Sequence, residues 1–229
     1  VSNAFGWAAP GWDVDWGMAV SCGGWVATHI WEHYLYTQDL DFLRAYYPVL
    51  YESARFLKAL LKPDPKTGWL LTVPSYSPEN VFLWEGKPHT LSAGSTFDIT
   101  VTRTLFKIVL EAASLLNSED EFTRELGSTL EKLPPYRVGK HGQLMEWFYD
   151  FDEACPDHRH TSHLLSLHPF NAIDPAESPA LKQAILTTLK RRLGDDAKDI
   201  VYANWAGALL IPYFARLLDG EQAGAFVKP

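Results

Sequence analysis

The sequence predicts an all-α fold of helical hairpins packed side by side, as in a toroid, a bundle or a solenoid, with short extended segments in the loops. Segments with apolar residues at helical spacing alternate with loops along the whole chain. There is no βαβ rhythm and no Gly-rich phosphate loop, which argues against a nucleotide-binding α/β fold. With 229 residues, 47% of them hydrophobic, the chain can bury a sizeable core.

The elements follow in order. Gly24 to Tyr36 reads as a helix, because Trp25, Thr28, Ile30, Trp31 and Tyr34 fall near helical spacing. Asp39 is placed to cap a short turn, and Pro48 suits the first turn of a further helix with Leu50, Ala54, Leu57 and Leu61 on one face. Gly68 to Ser77 is extended, since Leu70, Leu71, Thr72 and Val73 run into Pro74. A helix is predicted from about Phe97 to Leu116, with Val101, Leu105, Ile108 and Ala112 inward, and another from about Glu119 to Leu133, closed by Pro134-Pro135. Tyr136 to Asp157 holds too many aromatic residues for a linker and reads as a long structured loop. Helices return at Thr161 to Leu167, Pro179 to Leu193 and Ala203 to Leu218, and Asp219-Gly220 separates the last from an incomplete successor. Both ends abut structured-looking sequence, so truncation at both ends is expected.

Charge narrows the partners. Lys and Arg number 20 against 28 Asp and Glu, and the net charge of -8 disfavours nucleic acid and anionic membrane surfaces. A neutral ligand fits better, and aromatic residues at 14% supply either core or platforms for sugar rings. No apolar run is long enough to span a bilayer, and Val1-Ser2-Asn3 carries no signal pattern, so the compartment is not legible. Cys22 and Cys155 lack metal spacing and are expected as free thiols.

Three groups of residues have the chemistry of a site. Glu79, in Ser75-Tyr76-Ser77-Pro78-Glu79-Asn80, is a carboxylate stiffened by Pro74 and Pro78, as a positioned proton donor requires; a solvated turn is the plainer alternative. Asp157-His158-Arg159-His160-Thr161-Ser162-His163 gathers polar heads at a helix entrance. Its spacing matches neither HExxH nor a zinc finger, and Arg159 as a multi-donor fork suits a polyhydroxylated ligand; a capped helix end is the alternative. Asp219 is a third candidate, or simply an N-cap. Glu146, Asp150, Asp152 and Glu153 complete the carboxylates of the long loop. No motif calls for a cofactor or a metal.

Taken in order, several stretches resemble glycoside hydrolase family 95, the α-1,2-L-fucosidase type. They are Trp16-Gly17 with Trp31-Glu32-His33-Tyr34, Ser77-Pro78-Glu79-Asn80, Gly142-Gln143-Leu144-Met145-Glu146-Trp147, His158-Arg159-His160-Thr161-Ser162-His163-Leu164, and Ala215-Arg216-Leu217-Leu218-Asp219-Gly220. The resemblance implies that residues 1–229 are the C-terminal part of an (α/α)6 barrel, a partial toroid whose funnel holds a terminal sugar. It implies Glu79 as general acid and Asp219 as the second catalytic carboxylate, acting with a pair of Asn side chains from an earlier part of the barrel. Arg159 and His160 match the family's Arg-His pair in the sugar pocket, and His158, Trp205, Trp147 and Glu146 are further expected substrate contacts. The implied partner is a fucosylated oligosaccharide or glycan, and the implied setting is secreted or periplasmic.

One stretch departs from the family. Its Gly-Trp-Ser-x-Ala-Trp appears here as Asn204-Trp205-Ala206-Gly207-Ala208-Leu209, where only Trp205 and Ala208 match, so an α-L-galactoside is an alternative substrate. Inversion needs an acid and a base about 6.5–9.5 Å apart, which is expected of Glu79 and Asp219. Trp84 or Trp147 is expected to wall the acid with apolar surface.

Overall fold

A computed structural model describes residues 18–194 and 205–227. Among them are seven α-helices, accompanied by seven short strands in three small antiparallel sheets. Trp16-Gly17 and Asn204 of the family-like stretches lie outside the described residues, as does the predicted start of the last long helix at Ala203.

The first hairpin pairs α1 (Cys22–Thr37) with α2 (Leu40–Leu60). Ala27, Trp31 and Tyr34 form the inward stripe of α1, and Gln38 closes it in a left-handed conformation with its N–H on the Tyr34 carbonyl. Asp39 caps α2 by accepting from the amides of Asp41 and Phe42. The expected break at Pro48 does not occur: α2 runs through it as one 21-residue helix. The buried positions Leu43, Tyr47, Leu50, Ala54 and Leu57 keep one helical phase on both sides of Pro48, and their packing outweighs the one lost backbone hydrogen bond.

The second hairpin is α3 (Thr96–Leu116) with α4 (Glu121–Leu130). Ser95 caps α3, and Asp120 with Thr123 forms a capping box on α4, which ends three residues short of the predicted Leu133. These four helices share one core, in which Leu43, Leu50, Leu105, Phe106 and Leu126 are fully enclosed. A second core lies among α5 (Pro179–Leu193), α6 (Trp205–Arg216) and α7 (Gly220–Val227), around Leu164, Ile185, Leu189 and Tyr213. The segment expected as a helix at Thr161 to Leu167 is a five-residue 3-10 helix, Ser162–Ser166. It bridges the cores: Leu165 belongs to the first and Leu164 to the second.

The extended structure exceeds the single excursion expected from sequence. β1 (Leu61–Pro63) pairs with β2 (Leu70–Thr72), and β3 (Ser75–Tyr76) with β6 (Leu91–Ser92). β4 (Phe82–Trp84) is flanked by β5 (Lys87–His89) and by β7 (Asp152–Glu153). The β4–β5 hairpin turns on Glu85 and Gly86, both at positive φ, the geometry of a tight two-residue loop. This arrangement prepares the site. The Ser77-Pro78-Glu79-Asn80 turn leaves one sheet at β3 and enters another at β4, so both of its ends are held.

Candidate active site

Glu79 sits in that turn with φ at 57°, a left-handed conformation that costs a non-glycine residue energy unless its surroundings hold it. Two contacts hold it: its amide donates to the Tyr76 hydroxyl at 2.8 Å, and the Asn80 amide donates to the Ser77 carbonyl at 3.0 Å. Beneath the turn, the Ser77 hydroxyl donates to Glu146 Oε1 at 2.6 Å.

The antiparallel register of β4 with β7 brings the second strand of chain to Glu79. Phe82 pairs with Glu153, and the Ala154 amide continues the ladder to the Val81 carbonyl at 2.9 Å. The residues after β7 therefore run back past the turn. Arg159 Nη2 donates to Glu79 Oε2 at 2.7 Å, and His160 Nε2 lies 3.4 Å from the same oxygen. His160 Nδ1 lies 3.3 Å from the Pro78 carbonyl. A carbonyl can only accept, so Nδ1 carries the proton in that contact, and the neutral ring turns a lone pair toward Glu79. Burial lowers the His160 pKa, against a pull upward from Glu79, and so favours that neutral ring. Glu79 Oε2 thus has a guanidinium on one side and an imidazole edge on the other.

His158 lines the approach. Its Nδ1 accepts from the His160 amide at 3.2 Å, and the two rings meet edge to face at 5.0 Å. Burial, reinforced by His160, Arg192 and Arg159, pushes its pKa down to about 4. Trp205, the first described residue of α6, sets its ring 4.8 Å from that of His160 and is 53% exposed. Glu79, Arg159, His160, His158 and Trp205 are thus one cluster, reached from three parts of the chain.

Glu146 and Trp147 lie below it. Glu146 is 4% exposed, and Oε2 accepts from Arg192 Nη2 at 2.5 Å while Oε1 faces Ser77 and, at 3.6 Å, His163. Burial opposes its charge, but His163, Arg192 and Ser77 together hold its carboxyl at about 2. With both oxygens engaged inside the protein, Glu146 supports the turn from below instead of facing a ligand. Trp147 is likewise buried, against Phe82 and Phe151. Trp84, expected as a wall for the acid, stands edge-on to Phe151, and the groups in contact with the Glu79 carboxylate are the cationic fork and the imidazole.

Asp219 has a different setting. It follows α6 and accepts from the Gln222 amide at 3.0 Å, the plainer N-cap reading. Trp205 lies beside His160 on the first described turn of α6, whereas Asp219 lies beyond the C-terminal end of that helix, and the 12 described residues between them, Trp205–Arg216, span about 18 Å at 1.5 Å per residue.

Sequence reasoning overlooked Arg192. It ends a Lys190-Arg191-Arg192 run that suggests a solvated face, yet it is 1% exposed. Besides Glu146 it binds the carbonyls of Cys155 at 3.2 Å and Pro156 at 3.0 Å, fixing the chain that leads to His158. Its helical phase with Ile185 and Leu189 was the available signal. Asp98 was also overlooked: fully buried, it accepts from Ser21, from Ser75 at 2.7 Å and from the Tyr76 amide at 3.2 Å, anchoring β3 just ahead of the turn.

The family model for the glycosyl hydrolase family 95 catalytic domain matches residues 1–229, and the chain belongs to that family. It is 36% identical over 211 residues to "Alpha-L-fucosidase 2" of Arabidopsis thaliana, covering 91% of this chain and 24% of that protein. It is 30% identical over 197 residues to "Probable alpha-fucosidase A" of Aspergillus niger, covering 83% of this chain and 24% of that protein. The chain spans about a quarter of the length of these curated relatives.

Proposed function

We propose that the chain supplies the general acid and part of the sugar pocket of a hydrolase that removes terminal α-L-fucose from fucosylated oligosaccharides with inversion, its hairpins forming part of an (α/α)6 toroid. The observation that carries this reading is the Glu79 carboxylate held between Arg159 and His160 in a turn anchored on both sides. The names of both relatives agree with it.

On this reading Glu79 gives its proton to the glycosidic oxygen as the bond to the anomeric carbon breaks, and the Arg159 fork receives the carboxylate that remains. A positioned acid is worth about 10²–10⁴ in rate. Trp205 offers an exposed ring beside His160 on which the sugar packs, and His158, uncharged near neutrality, offers a hydrogen-bonding edge. Water attacks the opposite face of the sugar, aligned by a second carboxylate. The family resemblance gives that role to Asp219. The length of α6 argues instead that Asp219 is a cap, and the Asp219→Asn variant separates the two: loss of turnover by 10²-fold or more establishes the base, and retained turnover leaves the cap.

The test is fucose release from a 2′-fucosylated oligosaccharide by the full-length protein and its Glu79→Gln variant, with the anomer of the first product read by NMR. We expect the inverted sugar, and a loss of about 10²–10⁴-fold in the variant. Normal activity in Glu79→Gln would overturn the acid assignment. No release by the unmodified protein would overturn the fucoside reading, and an α-L-galactoside is then the substrate to try.

A further inference from the structure

Below the β4–β5 hairpin lies a cavity of about 420 Å³ that the site described above does not use. Its walls are aromatic. Phe82 and Phe151 stack nearly parallel, 4.2 Å between centroids at 14°, and Trp84 stands at 89° to Phe151, 5.6 Å away, so the rings form a corner. Trp84 is 51% exposed, an unusual position for the largest apolar side chain in a protein with ample core. The rim is polar. His89 and Lys66 line it, and Lys66 holds its ammonium 5.5 Å from the centre of the Tyr149 ring, within reach of the opening.

We propose that this recess binds a pyranose ring of the glycan beyond the linkage that is cleaved. A pyranose has one face of C–H groups and an equator of hydroxyls. The aromatic corner takes the first, and Lys66 and His89 at the rim take the second. The volume suits a small ligand and not a folded partner. The recess is also tied to the acid by the chain: five residues separate Glu79 from Trp84, and at full extension they span at most about 18 Å. An oligosaccharide with its terminal sugar at Glu79 can therefore lay a later ring on Trp84.

This proposal rests on the glycan reading of the site, so its test must separate the two. In the full-length protein, kcat/KM is measured for a 2′-fucosylated trisaccharide and for 4-nitrophenyl α-L-fucoside, which has no further sugar. Trp84→Ala should lower kcat/KM for the trisaccharide about tenfold more than for the aryl fucoside, mainly through KM, and Trp84→Phe should restore most of the difference. An unchanged ratio in a folded Trp84→Ala protein overturns the recess and leaves the hydrolase reading intact. If the unmodified protein cleaves neither substrate, calorimetric titration with lactose decides: binding that Trp84→Ala weakens at least tenfold supports the recess, and no difference overturns it.

Discussion

Arg159 and Glu79 stand 80 residues apart in the chain, and their side chains meet in a 2.7 Å hydrogen bond. The pairing of β4 with β7 makes that meeting a matter of register. Arg159 follows Glu153 by six residues and Glu79 precedes Phe82 by three, and Phe82 and Glu153 are ladder partners.

Replacing Arg159 with Ala should therefore separate stability from activity. The guanidinium is 54% exposed, and an ion pair so open to water contributes less than about 1 kcal/mol to folding. The same change removes the fork beside the proposed acid and should lower kcat/KM by about 10²-fold, the scale of one lost charge-stabilising donor. Urea denaturation and kinetics on the same preparations check both halves. Arg159→Lys should recover little, since a point charge does not reproduce the fork.

Glu146→Gln should act in the opposite sense, on stability first. Losing one partner of a buried ion pair costs about 3–5 kcal/mol, and the cost here should fall at or below the low end, because Arg192 keeps Glu153 Oε1 at 3.3 Å and the carbonyls of Cys155 and Pro156. The pH dependence follows from the direction of the shift. Glu146 ionises at about 2 in the fold against 4.5 for the ordinary carboxyl, so the unfolded chain binds more protons between those values. Its stabilisation is complete above about 4.5 and is lost as pH falls toward about 2. Denaturation measured across that window should show a shallower acid slope in Glu146→Gln than in the unmodified protein.

His158 titrates in a window of its own. With its pKa pushed from 6.5 to about 4, it is neutral at pH 6, where an ordinary histidine is largely charged. The unfolded chain takes up this proton first, so lowering the pH from 6.5 to about 4 costs stability, and the penalty levels off below that range. The His158 ring resonances should move with a midpoint near 4; a midpoint near 6.5 would show an open, solvated ring.

Gly24→Ala sets two effects against each other inside α1. Alanine gains about 1 kcal/mol of helix propensity. The added methyl, however, would lie 2.8 Å from Leu57 Cδ1 and 3.4 Å from Leu105 and Val101, all three fully buried. Overpacking of a filled core costs about 1–3 kcal/mol, so net destabilisation is expected, read as a lower melting temperature. Gly23, one residue earlier, meets nothing within 4 Å, and Gly23→Ala should stabilise.

Helices were legible in the sequence where an apolar stripe was bounded at both ends by start and stop signals. Pro179–Leu193, with Pro179 at its first turn and Gly194 after it, and Thr96–Leu116, between Ser95 and Asn117, match the prediction to within a residue. Pro48 is a local helix-start signal, but the phase that Leu43 and Tyr47 share with Leu50 carries the helix through it. The strands were harder to read: β4 and β5 are three residues each, too short for alternation to register, and Pro88 argues against a strand unless the strand lies at a sheet edge, as it does. Glu79, Arg159 and His160 could be named from their motifs, but their convergence depends on pairing between segments some 70 residues apart, which no local pattern encodes. The burial of Glu146 under Ser77 is of the same kind.

The turn at Glu85 and Gly86 is the free end of a hairpin whose other end is tied to β7. On the proposed reading, lengthening or recolouring that tip changes the surroundings of Trp84, while the ladder at Phe82 and Glu153 keeps Glu79 in place. Selectivity and chemistry are, on that reading, mounted on separate parts of one ribbon, and designed variants can change the first without renegotiating the second.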